Sequence, residues 1–552
     1  MNRRSYLRAL GLAGTVGLAG CFDWVGDGGT PSESPPGPPT GTPTGTPTGG
    51  SPGPSTSSPT ETPPPADRFE TVVDMVEDRG VDPTGNEPID DALRSAAGDD
   101  TLLQFPPGTY LATEMLVLES VRNFGIEGTG ASRTAVRFVH PKGFSDRLLN
   151  VRSGRNCLVR NVTVDQTDDD VTNSGVVVLN DDGVLVEDFE VAGFTPSRDQ
   201  GSVDLIVQVT SREGEGTVRR FTSTGGGKVG VYPASYPGFF SGPQHVGTLK
   251  LVDFHLERCG SNGLYAGRTK GGVQVLGGLF KNNDVAQVRL SGKGSFVRGA
   301  RIVVDTDDVD DVRGNYEGIR GIWWESGDQG KTGGYVERCE FVCRSSNGLR
   351  ALLQIDGSAG GMAVRNSRFR VDEADYFAIF TRPPGRSNMG GTPSKPWGIS
   401  VENTRIEGSS PKNAAVKIHG RPGSAVVDTT VVQHGTGQDG IRLVNSRGTR
   451  ILRSDVAADR YPVLVDVGSG NANGGTAGTS CLLRLEDVVE LRSFTLDPAS
   501  GGLVELPDTA MTAPGTYCVT RESVPFDGER MGLVGLDGDD RVYLFDADQV
   551  TS

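Results

Sequence analysis

The chain has 552 residues, with 79 glycines, 7% aromatic side chains and a formal net charge of −16. This acidic balance disfavours nucleic acid and anionic membrane surfaces as partners, because phosphate groups are bound by clustered Lys and Arg, which are not found here. Abundant glycine with few aromatic residues favours many short strands joined by corners over a helical bundle. The acidity is also compatible with a high-salt habitat.

Residues 1–21 resemble a twin-arginine export signal that ends in a lipobox. Arg3 and Arg4 precede a short apolar stretch, and residues 18–21 read LAGC. The apolar stretch is too short to span a membrane as a stable helix. The resemblance implies that Cys21 becomes the lipidated first residue of an exported protein. The lipid anchor alone would then hold the protein on the outer face of the cell membrane.

Residues 22–66 are dominated by Pro, Thr, Gly and Ser, with the run GTPTGTPTGG at 41–50. They offer almost no apolar side chain for burial, so their ordering entropy would not be offset. We expect a disordered, partly extended stalk.

A sharp corner marks the first folded module, which we expect over residues 67–135. Residues 102–113 read LLQFPPGTYLAT, an apolar run that stops at Pro106 and resumes after Gly108. Pro107 presets φ and Gly108 accepts positive φ, as the two central positions of a type II turn require. The stretch therefore predicts a strand, a corner and a second strand.

A short pattern recurs beyond residue 150: an apolar residue, then Asn, Asp or Gly two places on, then another apolar residue three places later. Well-spaced copies lie 22 to 25 residues apart, which indicates a solenoid. Each copy predicts a corner between two short strands, because its middle residue tolerates the left-handed region. Stacked corners would let Asn side chains form a ladder from coil to coil. The middle positions are Asn161, Asp188, Asp253, Gly277, Gly299, Asn366, Asn403 and Asp428, with looser copies around Arg338 and Arg453.

The repeat resembles the right-handed parallel β-helix of the pectate-lyase-like superfamily over roughly residues 67–470. The resemblance implies an all-β solenoid of roughly ten coils at 136–470, an N-terminal cap at 67–135 and a small β-rich module at 471–552. Long intervals between copies predict inserted loops at 305–333, 380–397 and 198–244. Loops on a rigid scaffold often carry function.

The insert at 305–325 combines carboxylates with aromatic rings, which suits an acidic-sugar cleft. Carboxylates bind hard cations or act as general acid and base, and indole rings stack on sugars. The catalytic candidates are Asp307, Asp308, Asp310, Asp311, Glu317, Arg313, Arg320 and Glu325. The sugar-binding candidates are Tyr316, Trp323 and Trp324, and a Ca²⁺ ion would bind at Asp305, Asp307 and Asp308. The alternative is a solvated acidic loop whose Trp side chains pack the insert.

A second candidate group lies at His419, His434 and Arg442. The two histidines are closer in sequence than one coil, so stacking does not follow, and solvated or corner histidines are the alternative. In β-helix lyases the base is often an Arg kept near neutral, and the resemblance assigns that role here to Arg313 or Arg320. The characteristic blocks of calcium pectate lyases and alginate epimerases are absent.

Six cysteines remain after Cys21 is set aside. Cys481 and Cys518 are the first candidates for a disulfide in an exported protein. The others fall in or beside repeat strands, where they would serve as small apolar core residues. They are Cys157, Cys259, Cys339 and Cys343.

Two functions follow from these observations. The first is a lyase or hydrolase of an acidic polysaccharide, working in a groove beside 305–325 with Ca²⁺ as the one cofactor considered. The second is a non-catalytic surface protein that binds glycan or belongs to the envelope, and the fold alone does not decide between them. We favour the enzyme narrowly because the acidic and aromatic residues cluster in one insert, and we expect a monomer.

Overall fold

The computed structural model describes residues 68–168, 171, 175–195, 203–229, 237–309, 319–346, 350–385, 391–446 and 449–466, together with six strands beyond residue 480. This part of the chain is nearly all β, with a single short α-helix, α1 (Asp90–Ala96), and 3₁₀ turns at Arg133–Ala135, Thr306–Asp308 and Gly327–Gln329. No helix within these ranges is long and apolar enough to cross a membrane.

The strands follow one another in short segments along the whole described chain. The first are β1 (Thr71–Asp74), β2 (Thr84–Pro88), β3 (Thr101–Phe105), β4 (Gly108–Leu111), β5 (Leu116–Leu118), β6 (Val121–Gly128), β7 (Val136–Val139), β8 (Leu149–Val151), β9 (Gly154–Asp165), β10 (Val176–Asn180), β11 (Val184–Ala192), β12 (Leu205–Val209), β13 (Glu215–Arg219), β14 (Thr222–Ser223), β15 (Phe239–Phe240), β16 (Thr248–Val252), β17 (His255–Glu257), β18 (Asn262–Tyr265), β19 (Gly272–Leu276), β20 (Leu279–Lys281), β21 (Ala286–Leu290) and β22 (Phe296–Arg298).

The remaining strands continue to the end of the described chain. They are β23 (Arg301–Asp305), β24 (Ile322–Trp324), β25 (Tyr335–Glu337), β26 (Glu340–Ser345), β27 (Ala351–Ile355), β28 (Ala363–Arg365), β29 (Arg368–Val371), β30 (Phe377–Thr381), β31 (Ser400–Glu402), β32 (Arg405–Gly408), β33 (Ala414–His419), β34 (Ala425–Val427), β35 (Thr430–Gln433), β36 (Asp439–Val444), β37 (Arg450–Leu452), β38 (Asp455–Ala458), β39 (Val463–Asp466), β40 (Cys481–Arg484), β41 (Ser493–Leu496), β42 (Leu503–Glu505), β43 (Thr516–Val519), β44 (Met531–Leu536) and β45 (Val542–Asp546).

Two sheets wrap into a right-handed parallel β-helix. The second sheet contains β5, β8, β10, β12, β15, β18, β21, β24, β27, β30, β33, β36, β39 and β43, and all other strands belong to the first sheet. A typical coil gives two strands to the first sheet and one to the second, as β16, β17 and β18 do, and the next coil pairs with it in parallel. Twelve parallel strands of the second sheet, from β8 to β39, lie within the described part of residues 136–470, where roughly ten coils were predicted.

The corners of the first sheet confirm the predicted repeat. All ten predicted middle positions have φ between 45° and 71°. Asn403 Nδ2 donates to Asn366 Oδ1 at 2.7 Å, which is the predicted amide ladder. One further corner is Arg220, with φ of 54°, which pairs with Asp188 of the preceding coil at 2.6 Å. The sequence pattern missed it because the position three places later is Ser223 and not an apolar residue.

The corner at 106–108 joins β3 to β4, as predicted, but its glycine has a different role. Gly108 does not adopt positive φ, so the type II turn was wrong at this residue. A Cβ at Gly108 would lie 2.8 Å from Pro83, and Thr109 N donates to Pro83 O at 2.8 Å. The glycine therefore permits the close approach of β4 to the segment before β2.

Apolar side chains from every coil fill the interior, and nearly all belong to one continuous core. Cys157, Cys259, Cys339 and Cys343 are buried and unbridged, which confirms their prediction as small core residues. The side chains of Cys481 and Cys518 lie outside the described residues. Beyond residue 480, β40, β43 and β44 pair antiparallel with β38, β39 and β37 of the last coil.

Candidate functional site

One row of side chains follows the outside of the second sheet from coil to coil. Strand alternation places these residues opposite the core-facing positions, and parallel register aligns them along the solenoid axis. We call this set the outer row; it consists of Asn150, Val177, Ile206, Phe240, Tyr265, Arg289, Trp323, Gln354, Phe380, Lys417, Arg442 and Leu464.

The middle of the outer row is a stack of aromatic rings and guanidinium groups. The Arg289 guanidinium carbon lies 4.2 Å from the Tyr265 ring centroid and 4.0 Å from that of Trp323. The guanidinium carbon of Arg320, which precedes β24, lies 4.1 Å from the same Trp323 ring centroid. Such contacts hold the rings and cations in fixed orientations without using their hydrogen-bonding edges.

A buried carboxylate holds Arg289 in this stack. Arg289 Nε donates to Glu325 Oε1 at 2.6 Å, with side-chain exposures of 1% and 0%. Gly327 N donates to the other carboxylate oxygen at 2.7 Å. A Cβ at Gly267 would lie 1.9 Å from Glu325 Oε1, so glycine at this position makes the space for the ion pair.

Positive charge accumulates around Arg320. Burial, together with the nearby like charges of Arg350, Arg382 and Arg289, lowers the pKa of Arg320 to about 9, while Asp356 acts in the opposite direction. The Asp356 carboxylate lies 4.0 Å from Arg382 Nη1 and is 3% exposed. An anionic ligand would relieve the repulsion among these guanidinium groups.

Two hydrogen-bond donors in the outer row have no protein partner among the described residues. They are Trp323 Nε1 and Gln354 Nε2, and both atoms are buried. Arg320 Nε donates to Gln354 Oε1 at 3.1 Å, which fixes the amide so that its NH₂ group faces away from Arg320. Buried donors are normally satisfied, so these two indicate a ligand with acceptor oxygens.

The outside of the first sheet has a different character, because its charges pair with one another. Arg298 Nε lies 2.8 Å from Glu337 Oε2 on the next coil, and Arg160 Nε lies 3.1 Å from Glu187 Oε1. These cross-strand pairs use the charges for stability. The outer row of the second sheet also contains ion pairs, but its buried donors at Trp323 and Gln354 lack a protein partner among the described residues, which makes it the better ligand face.

A lysine lies beside the buried ion pair at the carboxyl edge of the second sheet. Lys331 Nζ donates to Thr269 O at 2.8 Å. Burial lowers the pKa of Lys331 to about 8, and the charge of Glu325 acts in the opposite direction. This adds a cation of variable charge to the edge of the site.

The predicted acidic insert is described only in part. Asp310, Asp311, Arg313, Tyr316 and Glu317 lie outside the described residues, as does Cys21.

The aspartates at the start of the insert lie at the end of β23, on the first sheet. Asp305 Oδ2 pairs with Arg344 at 2.9 Å, and Asp308 pairs with Lys281 at 2.5 Å, while Asp307 is exposed. No group of three or more His, Cys, Asp or Glu side chains within the described ranges could hold a metal ion. Calcium therefore stays a prediction.

Trp323 and Trp324, both candidates for sugar binding, do not share a surface. They are consecutive in β24, so strand alternation turns them to opposite faces. Trp324 is 0% exposed within the core, whereas Trp323 belongs to the outer row. Glu325 is also 0% exposed, so it positions Arg289 and does not reach a substrate itself.

The second candidate group is separated by the fold. Arg442 lies next to Lys417 in the outer row and pairs with the buried carboxylate of Asp439, which also accepts from Arg460 at 2.6 Å. His419 is half-buried at the end of β33, and His434 is exposed in the turn after β35. The two histidines thus occupy different corners, the one after a strand of the second sheet and the other before one.

Sequence reasoning missed Tyr265, Arg289, Gln354, Phe380 and Lys417. Each is the outward residue of a short strand, visible in segments such as QVRL, LLQI and VKIH at 287–290, 352–355 and 416–419. Aligning these third strands of successive coils would have revealed the row.

No family model matches the chain, and no curated protein matches it. Among solved structures, the A-module of a mannuronan C-5 epimerase of Azotobacter vinelandii is similar over 67% of this chain and 98% of that module, with 14% identity and a TM-score of 0.41. The Dettilon tailspike protein is similar over 78% of this chain and 75% of that chain, with 13% identity and a TM-score of 0.39. By its own strand pairing, the described part of the chain is a parallel β-helix.

Proposed function

We propose that this protein acts on an acidic polysaccharide bound along the outer row. The observation that carries the proposal is the Trp323 ring between two guanidinium groups, at 4.0 Å from Arg289 and 4.1 Å from Arg320. A ring edge with a spare N–H, next to clustered cations, matches a sugar that carries a carboxylate or sulfate group.

The chemistry that this cluster supports best is β-elimination. A neutral Arg320 guanidine would take the proton from C5 of a uronate, the C4–O4 bond would break, and a C4=C5 double bond would form. The departing O4 takes a proton from solvent. Arg382, whose side chain is 39% exposed, would offset the charge that develops on the carboxylate, and the lowered pKa of Arg320 makes its neutral form accessible.

Hydrolysis is less well supported than elimination by the described residues. Glycoside hydrolysis normally uses two carboxylates that flank the scissile bond. The outer row contains no carboxylate, and the adjacent Glu325 and Asp356 are buried and ion-paired. The same observation favours the second candidate function, a non-catalytic protein that binds acidic glycan.

The full chain should be incubated with uronate and neutral polysaccharides in high salt, with and without calcium. The unsaturated product is followed by ultraviolet absorbance and total cleavage by reducing ends. We expect absorbance to appear with uronates and to be lost in Trp323→Ala, but retained in Phe296→Ala. Phe296 is the matched control, because it stacks on Tyr335 outside the first sheet.

New reducing ends without ultraviolet absorbance would show that the protein is a hydrolase and not a lyase. Retained binding with neither signal would establish the non-catalytic candidate. If the wild type does not bind acidic glycan at all, the proposal is refuted.

We also propose that the protein is exported and held on the outer face of the cell membrane through Cys21. The LAGC sequence at 18–21 and the stalk at 22–66 support this. Cys21→Ser should release the protein from the membrane fraction in the expressing cell. A Cys21→Ser variant that stays in that fraction would contradict the anchor.

A further inference from the structure

The outer row changes character along the solenoid axis. Before Arg289, its members Val177, Ile206, Phe240 and Tyr265 carry no charge at neutral pH. The second outward positions in the same region, Leu179 and Gln208, are uncharged as well.

From Arg289 onward, the cations follow. Lys417 and Arg442 lie in the row itself, and Arg320, Arg350 and Arg382 flank it. The boundary between the two parts lies between β18 and β21.

The spacing of the row suits one sugar per coil. Adjacent parallel strands lie about 4.8 Å apart, which is close to the length of one hexose unit in an extended polymer. A polymer that runs along the axis would place successive units on successive row residues. The part from Val177 to Tyr265 covers four strands, so it would contact about four units.

Each part of the row suits a different kind of unit. Phe240 and Tyr265 are half-buried rings in edge contact, with centroids 5.4 Å apart, and such surfaces pack against the apolar faces of neutral sugars. A carboxylate over this part would lose hydration without gaining a cationic partner, which is costly. The cationic part provides that partner.

We infer that the polymer this protein takes is mixed, with neutral units over the row from Val177 to Tyr265 and acidic units over the row from Arg289 to Arg442. This inference rests on the proposed function and adds to it the order of neutral and acidic units along the outer row. A polymer of acidic units alone would use only the cationic part.

The test measures the affinity of the full chain for three oligosaccharides by titration calorimetry. They are an acidic tetramer, a neutral tetramer, and an octamer that joins the two. The wild type should bind the octamer in one of its two orders at least tenfold more tightly than the acidic tetramer. Phe240→Ala should remove most of that gain, so it should weaken binding of the octamer by a larger factor than binding of the acidic tetramer.

Lys417→Met should weaken the acidic tetramer and the octamer together, by several fold each. Val72→Ala is the matched control for truncation of an exposed apolar side chain, since Val72 is 41% exposed on the first sheet. Equal affinity of the octamers and the acidic tetramer, or no effect of Phe240→Ala on the octamers, would overturn the inference while the proposed function stands. Failure of the wild type to bind the acidic tetramer would instead refute the proposed function.

Discussion

Single residues of this protein place ionisable groups where water cannot reach them. Asp204, just before β12, is 2% exposed, and its carboxylate accepts from Ser223 Oγ at 2.6 Å. Burial raises the pKa of Asp204 from 3.8 to about 7, although the bond from Ser223 acts in the opposite direction. The protonated form is thus favoured in the folded protein.

Asp204→Asn should make stability less dependent on pH. Because the folded pKa lies above the unfolded one, the proton on Asp204 stabilises the fold fully below 3.8, and this contribution is lost as the pH rises through about 7. At about pH 8 the variant should be more stable than the wild type by up to about 4 kcal/mol, with little gain at about pH 4. Urea unfolding at both values measures this, with the exposed Asp307→Asn as control. An equal effect at both values would contradict it.

Arg320 gives a second pH dependence, on activity. Its neutral form becomes populated as the pH approaches its pKa of about 9, so kcat on the acidic polysaccharide should rise toward that value. Arg320→Met should abolish elimination while the fold persists, and Arg320→Lys should move the rising limb of the profile. The pH profile of kcat measures both, and an unmoved limb in the lysine variant would exclude Arg320 as the base.

At the scale of elements, the outside of the first sheet is held by ion pairs between neighbouring strands. The contribution of each ion pair to the free energy of unfolding depends on how deeply the pair is buried. Glu187 in β11 has a side-chain exposure of 2% and contacts Arg160 and Arg219 of both adjacent coils. Glu402 in β31 and its partner Arg365 are 44% and 46% exposed at 3.5 Å.

Glu187→Gln should cost about 2 kcal/mol of unfolding free energy, because it removes a buried carboxylate that the partly exposed Arg160 and Arg219 share. Glu402→Gln, the matched change on the same sheet, should cost less than about 1 kcal/mol. Denaturant unfolding at low and high salt separates the two, and only the Glu402 change should diminish further in high salt. Similar costs for both would show that burial does not set the value of these pairs.

Across the whole molecule, Arg421 joins successive coils through backbone carbonyls. The guanidinium is fully buried and donates to Arg382 O at 2.9 Å, Ala359 O at 2.7 Å and Asp356 O at 2.7 Å. Burial lowers the pKa of Arg421 to about 10. Through these hydrogen bonds, the Arg421 guanidinium fixes the turns that carry Asp356 and Arg382 beside the outer row.

Arg421→Met should cost at least about 3 kcal/mol, since it leaves several buried carbonyls without donors. Acidic-glycan affinity should fall as well, because the turns after β27 and β30 lose their common support. The exposed Arg450→Met serves as control, and thermal unfolding with calorimetric titration measures both effects. Unchanged affinity in a destabilised variant would confine Arg421 to stability.

The solenoid could be predicted because each corner needs a residue that tolerates positive φ, and Asn, Asp and Gly are visible as such. The alternation that separates Trp323 from Trp324 was also available locally, because consecutive residues of a strand face opposite sides of the sheet. The outer row could not be predicted, because its neighbouring members lie up to 37 residues apart, as Phe380 and Lys417 do. Inserted loops also make the spacing irregular. Register between coils is set by tertiary pairing, which local sequence does not encode.

The antiparallel strands after residue 480 have a consequence for size. A parallel solenoid with an open end could accept another coil or another molecule, whereas strands of opposite direction on β37, β38 and β39 terminate that edge. Coils can then be gained only by duplication within the gene. Each duplication would lengthen the outer row by one strand spacing, so the number of coils encoded in the gene sets the length of the row.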